Sequence, residues 1–215
     1  MIMKLSKYID HTLLKMDATK DDIKKLCEEA IQYDFKSVCV NHCWISYCKQ
    51  LLKNSDVLIC CVIGFPLGSC TTSSKVSQVK DAIAQGVDEI DMVLNVGFVK
   101  SKMDEEVLEE LLQIRAACSV TLKLILETCL LSDEEIIRVC ELAKKAKMDF
   151  VKTSTGFSSG GASIHAIRLM KQVVEDSMGI KASGGIRSYE FMEQLIQAGA
   201  TRIGASASIS LISCK

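Results

Sequence analysis

Short apolar runs alternate with longer stretches whose apolar positions recur at helical spacing, from one end of the chain to the other. The short runs are Ile9–Thr12, Ser37–Asn41, Leu58–Phe65, Glu89–Asn95, Thr121–Thr128, Phe150–Thr155, Gly179–Gly184 and Arg202–Ala205, and they predict strands. Between them, residues 18–33, 43–54, 72–86, 103–118, 132–147, 161–176 and 189–199 predict helices. Ser132 is followed three positions on by Glu135, the spacing of a capping box, and Gly86 stands where the third helix should end. The only proline, Pro66, falls in a loop, and no low-complexity linker interrupts the repeats. Eight strand–helix repeats in 215 residues predict one α/β domain over 1–215, a (β/α)8 TIM barrel, with an open doubly wound sheet as competitor.

Polar residues inside the strands favour the barrel. Parallel strands are covered on both faces and normally read as unbroken apolar runs. Here Asp91 alternates with Ile90 and Met92, and Lys123 with Leu122 and Leu124. If Ile90, Met92, Leu94, Leu122, Leu124, Leu126, Val151 and Ile180 face the helices, then Asp91, Lys123, Glu127, Lys152 and Lys181 face the lumen. Neighbouring strands place such charges about 5 to 7 Å apart.

That arrangement has a chemistry. Burial lowers the pKa of a lysine and a second ammonium lowers it further, so Lys152 beside Lys181 predicts one neutral amine near pH 7. A neutral amine adds to a carbonyl to form a Schiff base. The resulting iminium lets a carbon–carbon bond form or break, provided a nearby group such as Asp91 moves protons. A buried ion network without chemistry is the alternative, and such networks seldom stabilise a protein more than apolar side chains would. Late glycine segments, Thr155-Gly156, Ser183-Gly184-Gly185 and Gly204-Ala205-Ser206, supply backbone N–H groups where many barrels hold a phosphate.

Composition narrows the partners. Lysine and arginine number 26 against 27 acidic residues, net charge −1, with no basic tract to suggest nucleic acid. No apolar run reaches the roughly 20 residues of a membrane span, and the N-terminus lacks a secretory pattern, so a cytoplasmic protein is expected. Eleven scattered cysteines predict buried free thiols. Cys39, His42, Cys43 and Cys48 lack a second pair at zinc-finger spacing, so no metal is expected.

The motifs Ile9-Asp10-His11-Thr12-Leu13-Leu14-Lys15, Ser37-Val38-Cys39-Val40-Asn41, Val62-Ile63-Gly64-Phe65-Pro66-Leu67-Gly68, Glu89-Ile90-Asp91-Met92-Val93-Leu94-Asn95, Leu126-Glu127-Thr128-Cys129-Leu130-Leu131, Phe150-Val151-Lys152-Thr153-Ser154-Thr155-Gly156-Phe157, Ile180-Lys181-Ala182-Ser183-Gly184-Gly185-Ile186-Arg187 and Arg202-Ile203-Gly204-Ala205-Ser206 closely resemble the deoxyribose-phosphate aldolase family. The match covers nearly the whole chain. It implies a class I aldolase, without metal or other cofactor, that reversibly splits 2-deoxy-D-ribose 5-phosphate into D-glyceraldehyde 3-phosphate and acetaldehyde. By this resemblance Lys152 is the Schiff-base lysine, Lys181 the lysine that lowers its pKa, Asp91 the proton-transfer acid and Lys123 a supporting lumen lysine. Gly156, Gly184, Gly185, Gly204 and Ser206 correspond to the phosphate cradle, with Thr155 beside it. Asp10 and Thr12 correspond to strand-end residues near the sugar hydroxyls, or Asp10 and His11 bond within the first loop.

Departures from the family pattern are few. Ala207 stands where many relatives have a second serine, and Met16 and His42 where proline is usual. The chain ends Ser213-Cys214-Lys215 without the C-terminal tyrosine that often assists proton transfer, so a slower proton-transfer step is expected. Cys39 ends a strand, with a buried inert thiol as the expected state. The rivals are another Schiff-base barrel, such as a transaldolase, and a phosphosugar-binding barrel without catalysis. A homo-oligomer, dimer or tetramer, is expected by analogy with other barrels.

Overall fold

Strand follows strand around a closed parallel barrel, β8 returning to β1, in the computed structural model, which describes residues 4–213. The strands are β1 (Ile9–Leu13), β2 (Ser37–Val40), β3 (Leu58–Ile63), β4 (Glu89–Val93), β5 (Thr121–Ile125), β6 (Phe150–Lys152), β7 (Gly179–Ser183) and β8 (Arg202–Ala205). Outside them lie α1 (Lys20–Tyr33), α2 (Ile45–Leu51), α3 (Thr72–Ala84), α4 (Val96–Lys100), α5 (Asp104–Ala117), α6 (Asp133–Lys145), α7 (Ile164–Val174), α8 (Tyr189–Gln197) and α9 (Ser208–Ser213). The open-sheet alternative is thereby excluded.

Alternation along the strands builds the main core. Ile90, Met92, Leu122, Leu124, Val151 and Ile180 all join one apolar layer between sheet and helices. In α6, Ile136, Val139, Cys140 and Ala143 lie on one stripe and are all buried there. Each large apolar side chain so buried stabilises the fold by about 1.5–3 kcal/mol. The helix begins at the expected capping box: Ser132 Oγ accepts from the Glu135 N–H, and the Glu135 carboxylate accepts from the Ser132 N–H.

Several boundaries move for local reasons. The helix expected over 43–54 starts as a tighter turn at His42–Trp44 and is α-helical only from Ile45 to Leu51, because Asn41 offers no side-chain cap. The helix expected from 161 starts at Ile164, capped by Ser163. Gly161 stays in the preceding loop, pressed so close to β7 that a Cβ would lie 2.3 Å from the Gly184 carbonyl oxygen. A short helix, α4, was not expected; Asn95 caps it by accepting from the Phe98 N–H at 3.3 Å.

Inside the barrel the two sides differ. Leu14, Cys39, Cys60 and Val62, with Phe65 against them, form a small apolar cluster separate from the main core. The side made by β4 to β8 is charged, and it leads to the C-terminal mouth.

Candidate active site

Strand register assembles the charged side. Asp91 lies opposite Lys123 across β4 and β5, and Lys152 opposite Lys181 across β6 and β7. Asp91 is the hub. Its Oδ1 accepts from Lys123 Nζ at 2.9 Å, and its Oδ2 accepts from Lys152 Nζ at 2.8 Å and Lys181 Nζ at 2.7 Å. The Cys60 thiol donates to Oδ1 at 3.1 Å. Lys123 also pairs with Glu89 at 2.7 Å, while Arg202 reaches Asp10 at 2.7 Å and Glu89 at 3.0 Å. Lys181 completes the ring by pairing with Asp10.

Asp10, expected at a strand end, does not line the mouth of the barrel. It is the second residue of β1, fully buried beneath the lysines, and Arg202 and Lys181 fix it there. Glu89 and Arg202 were not anticipated, although both follow the two-residue alternation that picked out Asp91 and Lys181.

Charge sets the protonation states. Burial alone would raise the Asp91 carboxyl, but Lys123, Lys152 and Lys181 outweigh it and hold it well below the usual carboxylate range. Burial likewise opposes ionisation of Asp10, and Lys181, Arg202 and Lys123 overcome it. Burial disfavours charge on Lys181, yet Asp10 and Asp91 hold it well above its ordinary value, as a cation.

Above the network a cavity of about 250 Å³ opens between the strand ends. It brings together Thr12, Lys152, Thr155, Gly156, Gly184, Gly185, Gly204 and Ser206. Lys152 is the one amine of the network that lines it, 3% exposed, whereas Lys123 and Lys181 are fully buried. Among the described residues, the N–H groups of Gly156, Gly184, Gly185 and Ser206 make no hydrogen bond within the chain. Four unused donors around one cavity suit an anion. Gly204 serves a different need: a Cβ there would lie 3.0 Å from Lys181 Cε, so its lack of a side chain makes room for the lysine.

Lys15, Ser183 and Arg187 also line the cavity; Ser183 and Arg187 belong to a glycine segment expected at a phosphate, but no side-chain role was expected of any of the three. Lys15 and Arg187 make no ion pair among the described residues, and their place just after a strand is the signal that could have marked them. The Phe157 ring meets Phe65 edge-on, with centroids 5.3 Å apart.

Glu127 also departs from expectation. Leu126 N–H donates to the Lys152 carbonyl and Thr128 N–H to the Thr153 carbonyl, so two residues on one side match one on the other. Glu127 is the extra residue of this bulge, left-handed at φ 58, ψ 59, which costs roughly 1–3 kcal/mol for a residue other than glycine. The kink takes its carboxylate away from the lysines to the Thr155 N–H at 3.2 Å and the Thr155 hydroxyl.

The thiols are mostly buried, Cys39 among them in the lumen, but Cys43 and Cys129 are exposed because each lies on a short surface turn. Two donor sets lie close enough to hold a metal, Cys39/Cys60/Asp91 and Asp10/Cys60/Glu89. Their carboxylates already bond lysine or arginine, so a cation would have to displace those partners. The expectation about the tail rests on Cys214 and Lys215, which lie outside the described residues.

A closed parallel barrel with a lysine at the base of its C-terminal cavity and unused glycine N–H groups around the mouth has the architecture of a barrel enzyme. Comparison with known proteins makes the class specific. The DeoC/LacD family of aldolases matches residues 4–212, and the chain belongs to that family. It is 56% identical to deoxyribose-phosphate aldolase of Clostridium botulinum over 98% of this chain and 100% of that one. It is 54% identical to deoxyribose-phosphate aldolase 1 of Mesoplasma florum over 98% and 96%. The tetrameric deoxyribose phosphate aldolase of Aeropyrum pernix superposes with a TM-score of 0.89 at 32% identity, over 96% of this chain and 88% of that one. The protein is thus an aldolase, a carbon–carbon lyase. No described helix is long and apolar enough to cross a membrane.

Proposed function

We propose that the protein reversibly cleaves 2-deoxy-D-ribose 5-phosphate to D-glyceraldehyde 3-phosphate and acetaldehyde through a Schiff base on Lys152. The supporting observation is the charge count around Asp91. Four cations, Lys123, Lys152, Lys181 and Arg202, face three carboxylates, Asp10, Glu89 and Asp91, and all seven are buried. Uncompensated charge out of water is costly, and the loss of one proton balances the set. Arginine does not deprotonate in proteins. Lys123 and Lys181 each bond two carboxylates, whereas Lys152 bonds only Asp91. Lys152 therefore has the fewest ionic contacts to lose on reacting, and it alone of the three lysines lines the cavity.

The neutral Lys152 amine adds to the C1 aldehyde of the open-chain sugar, and water leaves to give an iminium. Asp91, at 2.8 Å from that nitrogen, stabilises the cation. As the C3 hydroxyl loses its proton, the C2–C3 bond breaks, its electrons enter the iminium and D-glyceraldehyde 3-phosphate departs. The remaining enamine is protonated at C2, and water releases acetaldehyde and the amine. Asp91, bonded to Lys152, is the group placed to assist proton transfer, and Lys181 and Lys123 hold it in position. The free N–H groups of Gly156, Gly184, Gly185 and Ser206 receive the phosphate, and Arg187 and Lys15 supply the positive charge; Thr12 and Thr155 shape the wall.

The relatives' names support this choice of substrate. The same reading includes a cytoplasmic role in deoxyribonucleoside catabolism and a homo-oligomer, dimer or tetramer, the latter supported by the tetrameric relative. Borohydride with acetaldehyde or 2-deoxyribose 5-phosphate is the test. A reduced adduct on the Lys152 peptide, lost in Lys152→Ala, is expected; wild type that turns over the sugar without any adduct would refute the Schiff base.

A further inference from the structure

We infer that Glu127 is a positioning residue whose carboxylate clamps the Thr155-Gly156-Phe157 turn in the shape that receives the phosphate. It thereby sets affinity for phosphorylated substrate without touching the reacting carbon. The inference rests on the substrate and site proposed above.

One buried carboxylate holds the whole turn. Glu127 is 4% exposed, and it accepts from the Thr155 N–H at 3.2 Å and from the Thr155 hydroxyl. That hydroxyl in turn accepts from the Phe157 N–H at 3.1 Å. The hydroxyl proton is therefore committed to Glu127, so Thr155 has no hydroxyl donor to offer a ligand. Between the two tied residues lies Gly156, left-handed at φ 85, with its own N–H unused at the cavity wall.

Lys152 is held by other bonds. Its carbonyl accepts from the Leu126 N–H at 2.9 Å, and it lies in the β6 ladder opposite Ile125 and Lys181. Loss of the clamp should loosen the phosphate wall while leaving the amine in place. A glycine would satisfy the left-handed backbone at 127 without strain, so the backbone itself does not call for a glutamate. The carboxylate is what this position adds.

The test compares Glu127→Gln and Glu127→Gly with wild type on 2-deoxyribose 5-phosphate and on unphosphorylated 2-deoxyribose. Gln keeps an acceptor for the Thr155 N–H, and its KM should stay within about threefold of wild type. Gly removes the clamp and relaxes the backbone. It should raise KM for the phosphorylated sugar about tenfold or more, with kcat within about threefold and KM for the unphosphorylated sugar within about twofold. An unchanged KM, an equal rise for both sugars, or a fall in kcat alone overturns the inference. If the Gly variant does not fold, Glu127→Asn, whose shorter side chain withdraws from Thr155 and which tolerates the left-handed backbone, is read by the same criteria. Failure of the parent proposal looks different: wild type itself then shows no turnover and no borohydride adduct at Lys152.

Discussion

Lys75 and Glu110 are buried as deeply as Lys152 and Asp91, yet they pair between two helices rather than in the lumen. Between α3 and α5, Lys75 Nζ donates to Glu110 Oε1 at 2.7 Å and to the Val93 carbonyl at 2.9 Å. Their side chains are 0% and 1% exposed, one cation faces one acid, and neither lines the cavity at the barrel mouth. The lumen network has one more cation than acid and meets a cavity at Lys152. Burial of charge is common to both. An unequal charge count and access belong only to the second, and on the proposed function they separate the reacting amine from a structural one.

The largest effect expected from this contrast is on stability, outside the site. Lys75→Met leaves Glu110 buried without its cation, which costs about 3–5 kcal/mol. The urea midpoint should fall accordingly while kcat of the folded fraction is unchanged. A stable variant with low kcat would show that the outer pair acts on the site through the end of β4.

A smaller effect is confined to acid. Asp10 has a folded pKa held below its unfolded value, so its contribution is fully present above the unfolded pKa of about 3.9 and is lost as pH falls through the folded one. Subtracting the urea stability of Asp10→Asn from that of wild type isolates this contribution. The difference should be constant from about pH 5 to about pH 9 and shrink below about pH 4. A difference that changes near neutrality would mean that Asp10 is not held ionised by Lys181 and Arg202.

The same contrast explains what was legible in the sequence. A period of two puts Asp91, Lys123, Lys152 and Lys181 on one face of their strands, and eight repeats close that face into a lumen. Depth was not legible: Asp10 lies low in the lumen because of the stagger between strands, and no property of β1 alone shows it. Glu127 followed the period but left the lumen, because a bulge after β5 breaks the alternation and nothing in Leu126-Glu127-Thr128 announces a left-handed residue. The helix α4 is five residues long, too short for periodicity to reveal. Arg187 and Lys15 were visible as cations after strands, but only the closed barrel brings their loops to one cavity.

The smallest expected change in stability is at the reactive lysine itself, and its smallness is the sharpest test. In an ordinary buried pair such as Lys75–Glu110, loss of the lysine strands an acid. Asp91 without Lys152 still accepts from Lys123 at 2.9 Å and Lys181 at 2.7 Å, and the network then holds three cations and three carboxylates. Lys152→Met replaces the amine that bonds only one carboxylate with an apolar chain of similar length, so stability should change by no more than about 1 kcal/mol or rise. Turnover should vanish in the same variant. A loss in urea stability as large as that of Lys75→Met would mean that Lys152 is an ordinary structural cation, and its contacts would no longer single it out as the proposed nucleophile.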